Sequence, residues 1–539
     1  MNSIAQDSGD EIAKTATTST TGSDPSKGSD ISKDAATDQQ KRSEQDAAQR
    51  RRAAEGADAA EQGRAREVGS STLADTWHGG GGADRRLLVI ALDGATPELA
   101  LGAWRTQLRT IELLTERGLR GRLRSSTPWA SLPAWLSLFS GLDPGQLGVY
   151  APAQRPNHSY AAPMRVDSRA VRASRVWETL GRAGKRVAVL AVPATSPVAP
   201  INGQIIGDQA DAAPASFQRQ VELWRSDEPA SQPAGGDDLD RIIGNAYSQA
   251  EQRFRLARRM LARTSYDCFV LYDSGIATVQ RALWHALDVT HLRYRPGHPF
   301  ATAISAFYQF IDEQIGDLLE LVDDQTIVAV VSACGAQALD GELALNDWLI
   351  DQGELRLLAA PARPTPLAEC AVDWAGTRAW AADNGTIYLN LAGREPHGAV
   401  PADQAAALLA SLAARLQALR LPTGARADAP AFDARRPAEL YSTVSGIAPD
   451  LLLIGREPGW RTSAIVGQRN TWLTAQAGAL DSACDSPDGM FVLYDPQQPG
   501  GGRELDGATI YDIVPTLLAL FDVRPGPHAR GQVLTTRAL

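Results

Sequence analysis

The 539-residue sequence has few cysteines, no basic surplus and no long apolar run, and each absence excludes a class of protein. Its four cysteines, Cys268, Cys334, Cys370 and Cys484, lie far apart without a CxxC pair, so neither a disulfide scaffold nor a zinc ribbon is indicated. A net charge of -10 argues against a nucleic-acid-binding or lipid-binding face. No stretch supplies about 18 consecutive apolar residues, and the N-terminus lacks the pattern of a signal peptide. We therefore expect a cytoplasmic protein without a membrane span.

The N-terminal region also lacks the residues that build a core. Between Ser32 and Glu67 there is no Val, Ile, Leu, Met, Phe, Trp or Tyr. A segment of this composition cannot bury enough apolar surface to offset the entropy of ordering, so residues 1–84 are predicted to be a disordered tail that ends in a Gly-rich linker. Such a tail is able to bind a protein partner. The folded domain is predicted over residues 85–539.

Apolar runs of strand length recur after this tail. The first is "RRLLVIALDG", which is typical of a parallel strand buried on both faces. The runs "KRVAVLAVP", "CFVLYD", "TIVAVVS" and "DLLLIG" repeat the pattern. Amphipathic helical stretches separate them, beginning with a helix predicted from about Pro97 to Arg117. This alternation predicts an α/β fold with a doubly wound, mainly parallel sheet and helices on both faces.

One segment departs from the alternation of strands and helices. In "VDWAGTRAWAADNGTIYLNL", residues 372–391, a Gly turn separates two alternating runs, which predicts a β-hairpin. We place this hairpin in an insertion at about 340–440. Ligands of doubly wound sheets bind outside the carboxyl ends of the strands, so residues that follow the other strands are the candidates for chemistry.

Two such candidates lie near the start of the domain. Asp93 ends the first strand and precedes Gly94, where its carboxylate would point into the crevice; a turn-forming Asp-Gly pair explains it equally well. Ser131 lies between Pro128 and Pro133 at the start of an amphipathic stretch. A hydroxyl at a helix N-terminus is either a cap or an anion-binding nucleophile.

Several sequence blocks occur together in an order that resembles a known family. They include "VIALDGATPEL", "STPWASLPAWLSLFSGLDPGQLG", "TRAWAADNGTIYLNLAGREPHGAV" and "ATIYDIVPTLLAL". Together they resemble the type I phosphodiesterase/nucleotide pyrophosphatase family of the alkaline phosphatase superfamily, especially its bacterial phosphohydrolase/phosphomutase-like branch. The resemblance implies an alkaline-phosphatase-like fold and a site with two metal ions, usually zinc. It also implies that Asp93 is a metal ligand and that Ser131 occupies the nucleophile position, where metal coordination would activate the hydroxyl.

The sequence departs from this family at most of the metal-ligand positions. Members carry a Ser-Asp-His-Gly motif after a buried strand, and here the motif reads "SACG", with Ala333 and Cys334 at the ligand positions. Members also carry an Asp and a His four residues apart on one helix face. The matching residues are Ala277 and Arg281, neither of which is a metal ligand.

The last family ligand is a histidine, and Asp485 is its possible substitute. A site rebuilt from Cys334, Cys484 and Asp93 for a soft metal is one interpretation of the nearby cysteines. Ordinary burial of free cysteines is the other interpretation, and it is the commoner case.

Arg281 supports a further hypothesis about the same site. A guanidinium at a former metal position would supply positive charge and bind a phosphate, sulfate or carboxylate beside Ser131. A surface salt bridge explains the residue equally well.

These features lead to two main hypotheses of function. The first is a pseudoenzyme that has lost most of the two-metal site, needs no cofactor and keeps an anion-binding pocket at Ser131 and Arg281. The alternative is an active metal-dependent phosphohydrolase or phosphodiesterase. It would cleave a nucleotide or small phosphate ester through Ser131, with zinc or manganese held by Asp93 and Asp485. A structural partner recruited through the tail is a third hypothesis.

Overall fold

The computed structural model describes residues 85–208, 236–422, 428–474 and 481–534. The tail predicted over 1–84 lies outside the described residues. All of the described residues belong to one compact unit.

The strands of the described residues vary from two to seven residues in length. They are β1 (Arg86–Leu92), β2 (Leu119–Arg124), β3 (Ala153–Gln154), β4 (Met164–Arg165), β5 (Val187–Leu190), β6 (Gly203–Ile206), β7 (Cys268–Asp273), β8 (Thr326–Ser332), β9 (Gly335–Ala338), β10 (Gly341–Ala344), β11 (Thr365–Pro366), β12 (Ala379–Ala382), β13 (Thr386–Leu389), β14 (Phe432–Arg435), β15 (Leu451–Gly455), β16 (Trp460–Ser463), β17 (Ile465–Val466), β18 (Trp472–Thr474), β19 (Ala483–Ser486), β20 (Asp488–Tyr494) and β21 (Arg503–Glu504).

The α-helices of the same residues are numbered in chain order. They are α1 (Arg109–Arg117), α2 (Ser131–Ser140), α3 (Pro144–Leu147), α4 (Val176–Arg182), α5 (Gly236–Arg263), α6 (Gly275–Leu287), α7 (Ala303–Leu319), α8 (Leu345–Asp351), α9 (Ala402–Gln417), α10 (Pro437–Leu440) and α11 (Ile513–Ala519). A π-helix spans Glu98–Ala103, and short 3₁₀ helices span Arg105–Gln107, Leu367–Glu369 and Ile510–Asp512.

The main sheet has eight strands in the order β21-β2-β20-β8-β1-β7-β5-β6. Strand β1 lies between β7 and β8 and is parallel to both. Strand β20 is antiparallel to its neighbours β2 and β8, and the other pairs are parallel. The predicted α/β fold with a doubly wound, mainly parallel sheet is therefore confirmed.

Strand β1 is apolar from Leu87 to Leu92 because each of its faces lies in a different core. Leu88 and Ile90 pack with side chains of α1, α5, α6 and α7, whereas Leu87 and Val89 pack with side chains of α2, α4 and α11. Successive side chains of a strand point to opposite faces, so only a strand covered on both sides needs an unbroken apolar run. Each fully buried side chain of this size contributes about 1.5–3 kcal/mol to folding.

The predicted hairpin is present and belongs to a second, antiparallel sheet. Strands β12 and β13 meet at Asn384 and Gly385, whose φ angles of 58° and 67° are those of a type I′ turn. The sheet has the order β12-β13-β15-β14, and α9 packs against it around a separate core. Strand β15 is the run "DLLLIG", so its prediction as a strand of the main parallel sheet is wrong. A short buried run carries no information about which sheet it joins.

The helix predicted from Pro97 to Arg117 is not continuous. A π-helix and a 3₁₀ helix come before α1, which begins at Arg109. The breaks let Trp104 pack edge-on against Tyr308 at a ring separation of 5.3 Å. Such a tertiary contact is not visible in the periodicity of the sequence, so the prediction of a single helix is wrong.

Among the residues that the structure describes, no helix combines the length and apolar character needed to cross a bilayer.

Candidate ligand site

The candidate site lies at the carboxyl edge of the main sheet. Asp93 directly follows β1, Asp273 ends β7, and Cys334 follows β8 by two residues. Helix α2 brings Ser131 to this edge, and α6 brings Arg281. The strands are parallel, so their ends place side chains from distant parts of the sequence next to one another.

Asp93 is buried, with 5% of its surface exposed, and its carboxylate accepts two hydrogen bonds. Ser131 Oγ donates to Asp93 Oδ1 over 2.9 Å, and Trp135 Nε1 donates to the same oxygen over 2.8 Å. Burial raises the pKa of Asp93, while the charge of Arg281 opposes that shift. The carboxylate is thus held by neutral donors of α2.

A hydrogen-bonded frame fixes the turn that follows Asp93. Gln280 of α6 donates from Nε2 to the carbonyl oxygen of Gly94 over 2.7 Å. Thr96 donates its backbone N–H to the hydroxyl of Tyr308 over 2.9 Å, and its Oγ1 accepts the N–H of Ala336 over 3.0 Å. The frame joins β1, α6, α7 and β9, so the edge of the sheet and the helix that carries Arg281 are held together.

Ser131 is the first residue of α2 and does not cap its own helix. The N-cap is Ala130, and it makes no side-chain cap bond. The backbone N–H of Ser131 donates to Asp485 Oδ2 over 2.9 Å. A carboxylate is favoured there because a helix N-terminus carries a partial positive charge.

Asp485 also contacts Arg281, so its carboxylate links α2 to α6. Arg281 Nη2 donates to Asp485 Oδ1 over 2.7 Å. The Arg281 side chain is 38% exposed and that of Asp485 is 23% exposed. Asp485 raises the pKa of Arg281, which therefore keeps its positive charge. Asp485 is predicted as a substitute metal ligand and Arg281 is predicted to bind an anion. The two residues are hydrogen-bonded to each other.

Three other positions that the resemblance assigns to metal ligands are occupied by Ala277, Ala333 and Cys334. Ala277 packs against Gly94, and Ala333 is fully buried. Cys334 is also fully buried, and burial is the main cause that raises the pKa of its thiol. Metal ions coordinate the thiolate, and burial disfavours that ionised form.

The residues proposed to rebuild a metal site have other contacts. Burial raises the pKa of Cys484 to about 12, and its Sγ lies 3.8 Å from Nε2 of Gln337. Asp273, a further carboxylate at this edge of the sheet, forms an ion pair of 2.8 Å with Arg253. No group of three or more His, Cys, Asp or Glu side chains able to hold a metal ion occurs within the described ranges. The residues present therefore do not fit the two-metal site that the family resemblance implies.

A cleft of about 730 Å³ opens above the site and reaches the second sheet. Ligand pockets commonly enclose about 300–1,000 Å³, so a small organic molecule would fit. Ser131 of α2, Arg281 of α6 and Asp485 of β19 line this cleft. Residues of the second sheet and of the segments next to it also line the cleft, among them Asp383, Asn384, Phe432, Trp460 and Arg461.

Together, the mainly parallel sheet and the serine and carboxylate at its edge define an alkaline-phosphatase-like α/β protein. The model of the type I phosphodiesterase/nucleotide pyrophosphatase family matches residues 87–472. The chain belongs to this family, whose members normally depend on metal ions, usually zinc. No curated protein matches the sequence.

Solved structures resemble the chain over most of its length. Murine ectonucleotide pyrophosphatase/phosphodiesterase 5, in an inactive form with AMP, is 12% identical with a TM-score of 0.50, over 83% of this chain and 97% of that one. The human protein of the same name gives the same four values. Phosphonoacetate hydrolase from Sinorhizobium meliloti, in complex with phosphonoformate, is 16% identical with a TM-score of 0.51. The match covers 81% of this chain and 95% of that one. At these identities the likeness shows the fold alone.

Two aromatic residues of the site were not identified from the sequence. Trp135 bonds to Asp93, and its ring lies edge-on against Tyr272 with centroids 5.2 Å apart. The sequence did hold a signal for Trp135, because it follows Ser131 by four residues and so lies on the same helix face. The position of Tyr272 depends on the sheet register, which no local pattern gives.

Proposed function

We propose that the protein is a non-hydrolytic member of its family that binds a phosphate-containing or other anionic small molecule in the cleft. The observation that carries this proposal is the hydrogen bonding of two carboxylates, Asp93 and the predicted substitute ligand Asp485. Asp93 accepts donors from Ser131 and Trp135, and Asp485 accepts donors from Arg281 and Ser131. The hydrogen bonds to both carboxylates are therefore supplied by groups of the protein itself.

The electrostatics of the site also favour binding over hydrolysis. Phosphoryl transfer depends on cations that stabilise the charge of the transition state. Among the described side chains, Arg281 is the cation bonded at this site, and its charge is balanced by Asp485 at 2.7 Å. Arg281 and the N-terminus of α2 are nevertheless suited to recognise a phosphate group.

One observation favours the alternative, an active phosphoesterase. Ser131 Oγ lies 2.9 Å from the Asp93 carboxylate, a distance suited to proton transfer from a nucleophile to a base. Under this hypothesis Asp93 and Asp485 would exchange their present partners for zinc or manganese. The substrate would be a nucleotide or a small phosphate ester.

Metal content and Ser131-dependent turnover separate the two hypotheses. We would measure zinc and manganese in the purified protein and assay a chromogenic phosphodiester with wild type, Ser131→Ala and Ser137→Ala. Ser137 is a buried serine of the same helix, which makes it a matched control. We expect far less than one metal ion per chain and no turnover that depends on Ser131. Near-stoichiometric metal, with turnover abolished by Ser131→Ala and kept by Ser137→Ala, would refute the proposal.

The remaining proposals concern location and partners. We place the protein in the cytoplasm, without nucleic acid as a partner, on the strength of its acidic charge and its scattered cysteines. Binding of a protein partner by residues 1–84 stays a prediction. Comparison of the full chain with a chain lacking those residues in a pull-down from cell extract would test it.

A further inference from the structure

We infer that Asp485 is a built-in occupant of the anion site, so that a phosphate group must displace its carboxylate in order to bind. The inference rests on the proposed function, because it describes how the same site selects its ligand. It assigns Asp485 the role of an internal competitor.

The contacts of Asp485 are those expected of a bound anion. Each carboxylate oxygen accepts a different donor: Oδ2 accepts the Ser131 N–H over 2.9 Å, and Oδ1 accepts Arg281 Nη2 over 2.7 Å. A helix N-terminus and a guanidinium are the donors with which proteins commonly hold phosphate groups. The chain therefore presents an anion-binding pair of donors and fills it with its own carboxylate.

The position of Asp485 allows this displacement. Its side chain and that of Arg281 both line the cleft and are 23% and 38% exposed, so a dissolved ligand reaches the contact directly. Asp485 lies on β19, which pairs with the short strand β9 rather than with the main sheet. Rotation of one side chain would free both donors without disturbing the main core.

The charge balance explains why Asp485 would control selectivity. With Asp485 in place, the Arg281 charge is neutralised, and Asp93 adds a further carboxylate nearby. A ligand with a single charge gains little by exchanging with a carboxylate of equal charge. A phosphate dianion carries more charge and more acceptor oxygens, so it is the class of ligand able to compete.

Titration with inorganic phosphate tests the inference. We would measure phosphate affinity by calorimetry, at constant pH and ionic strength, for wild type, Asp485→Ala and Asp481→Ala. Asp481 lines the same cleft and pairs with Arg461 at 3.2 Å. Its charge also acts on Arg281, but its removal changes the net charge equally and leaves Ser131 and Arg281 bonded to Asp485. We expect Asp485→Ala to bind phosphate about tenfold more tightly than wild type. Asp481→Ala should stay close to wild type.

Two further variants complete the test. Asp485→Asn keeps the size of the side chain and serves if Asp485→Ala does not fold; it should also tighten binding, because one donor loses its acceptor. Adding Arg281→Gln to Asp485→Ala should abolish the gain. Equal affinity of the Asp485 variants and wild type, or an equal gain in Asp481→Ala, would overturn the inference.

Different experimental results would refute this inference and the proposed function. If wild type binds phosphate and the Asp485 variants bind it no better, only the internal competitor is refuted. If no variant binds phosphate, the inference fails, and the proposed function fails for ligands recognised through a phosphate group. Ser131-dependent turnover with bound metal refutes the proposed function whatever the titration gives.

Discussion

Asp93 carries a carboxylate that the surrounding protein makes costly to ionise. Burial raises its pKa, and Ser131 and Trp135 supply neutral donors rather than a cation in contact. An aspartate whose pKa is raised by folding stabilises the protein fully below its unfolded pKa of about 3.9. That contribution is lost as the pH rises through the folded pKa.

Asp93→Asn removes this ionisation while preserving the shape of the side chain. We expect the free energy of unfolding of Asp93→Asn, relative to that of wild type, to increase as the pH rises above about 4. The difference should become constant above the pKa of Asp93 in the folded protein. Urea unfolding of both proteins across the acidic and neutral range would measure the difference. A difference that does not change with pH would contradict this account. If Asp93 instead held a metal ion, Asp93→Asn would abolish any stabilisation by added zinc.

Trp135 stabilises Asp93 through one indole N–H. Hydrogen bonds to charged groups are typically worth about 1.5–3 kcal/mol. Trp135→Phe should therefore lower the free energy of unfolding by that amount, in addition to the loss caused by the smaller ring. Trp177→Phe is a matched control, because Trp177 is buried in the same core and its Nε1 has no hydrogen-bond partner among the described residues. Equal losses in free energy of unfolding for the two variants would show that the bond from Trp135 contributes nothing.

At the scale of elements, the turn after β1 sets the position of α6. Gly94 has φ +72°, and a Cβ there would lie 2.9 Å from the Cβ of Ala277. Gly353 has nearly the same φ, +74°, but nothing within 4 Å of an added Cβ. Comparing alanine at the two positions therefore separates backbone strain from the close approach of α6.

We expect Gly353→Ala to cost about 1 kcal/mol, the usual cost of the left-handed conformation. Gly94→Ala should cost roughly 2–4 kcal/mol, because α6 must also move away. Urea unfolding would measure both losses, and phosphate titration would show whether the movement of α6 displaces Arg281. Similar losses for the two variants would mean that the contact between Gly94 and Ala277 does not fix the helix.

The sequence predicts elements well where one local cause dominates. The unbroken apolar run of β1 follows from burial on both faces, and the hairpin follows from a turn that needs positive φ at Asn384 and Gly385. Prediction from the sequence fails where the position of an element depends on a contact with residues far away in the chain. The run at β15 joins the second sheet, and the helix before α1 breaks so that Trp104 meets Tyr308.

The same division applies to the site. The edge of the sheet and its candidate residues follow from strand ends, which the sequence marks. The partners of those residues do not, because Asp485 and Arg281 are 204 positions apart and their pairing depends on β19 and β9. A ligand position and an ion-pair position look the same in a sequence, and only the folded arrangement distinguishes them.

For the whole molecule, the fold and the metal ligands are separable. The main sheet and α6 take their positions from apolar packing and from the frame around Gly94 and Gln280. None of these contacts requires a metal ion. The fold should therefore accept the family's ligand types at the positions where the resemblance predicts them.

A variant that carries the family's ligand types at these positions tests this separation. Its five substitutions are Ala277→Asp, Arg281→His, Ala333→Asp, Cys334→His and Asp485→His. Without zinc the variant should be less stable than wild type, because Ala333 and Cys334 are fully buried and polar side chains there would lack partners. Zinc should then bind and restore stability, since metal binding supplies folding free energy. Wild type should show no change in melting temperature with zinc or chelator. A wild-type protein stabilised by zinc, or a variant that ignores it, would show that metal binding in this chain depends on something other than these five side chains.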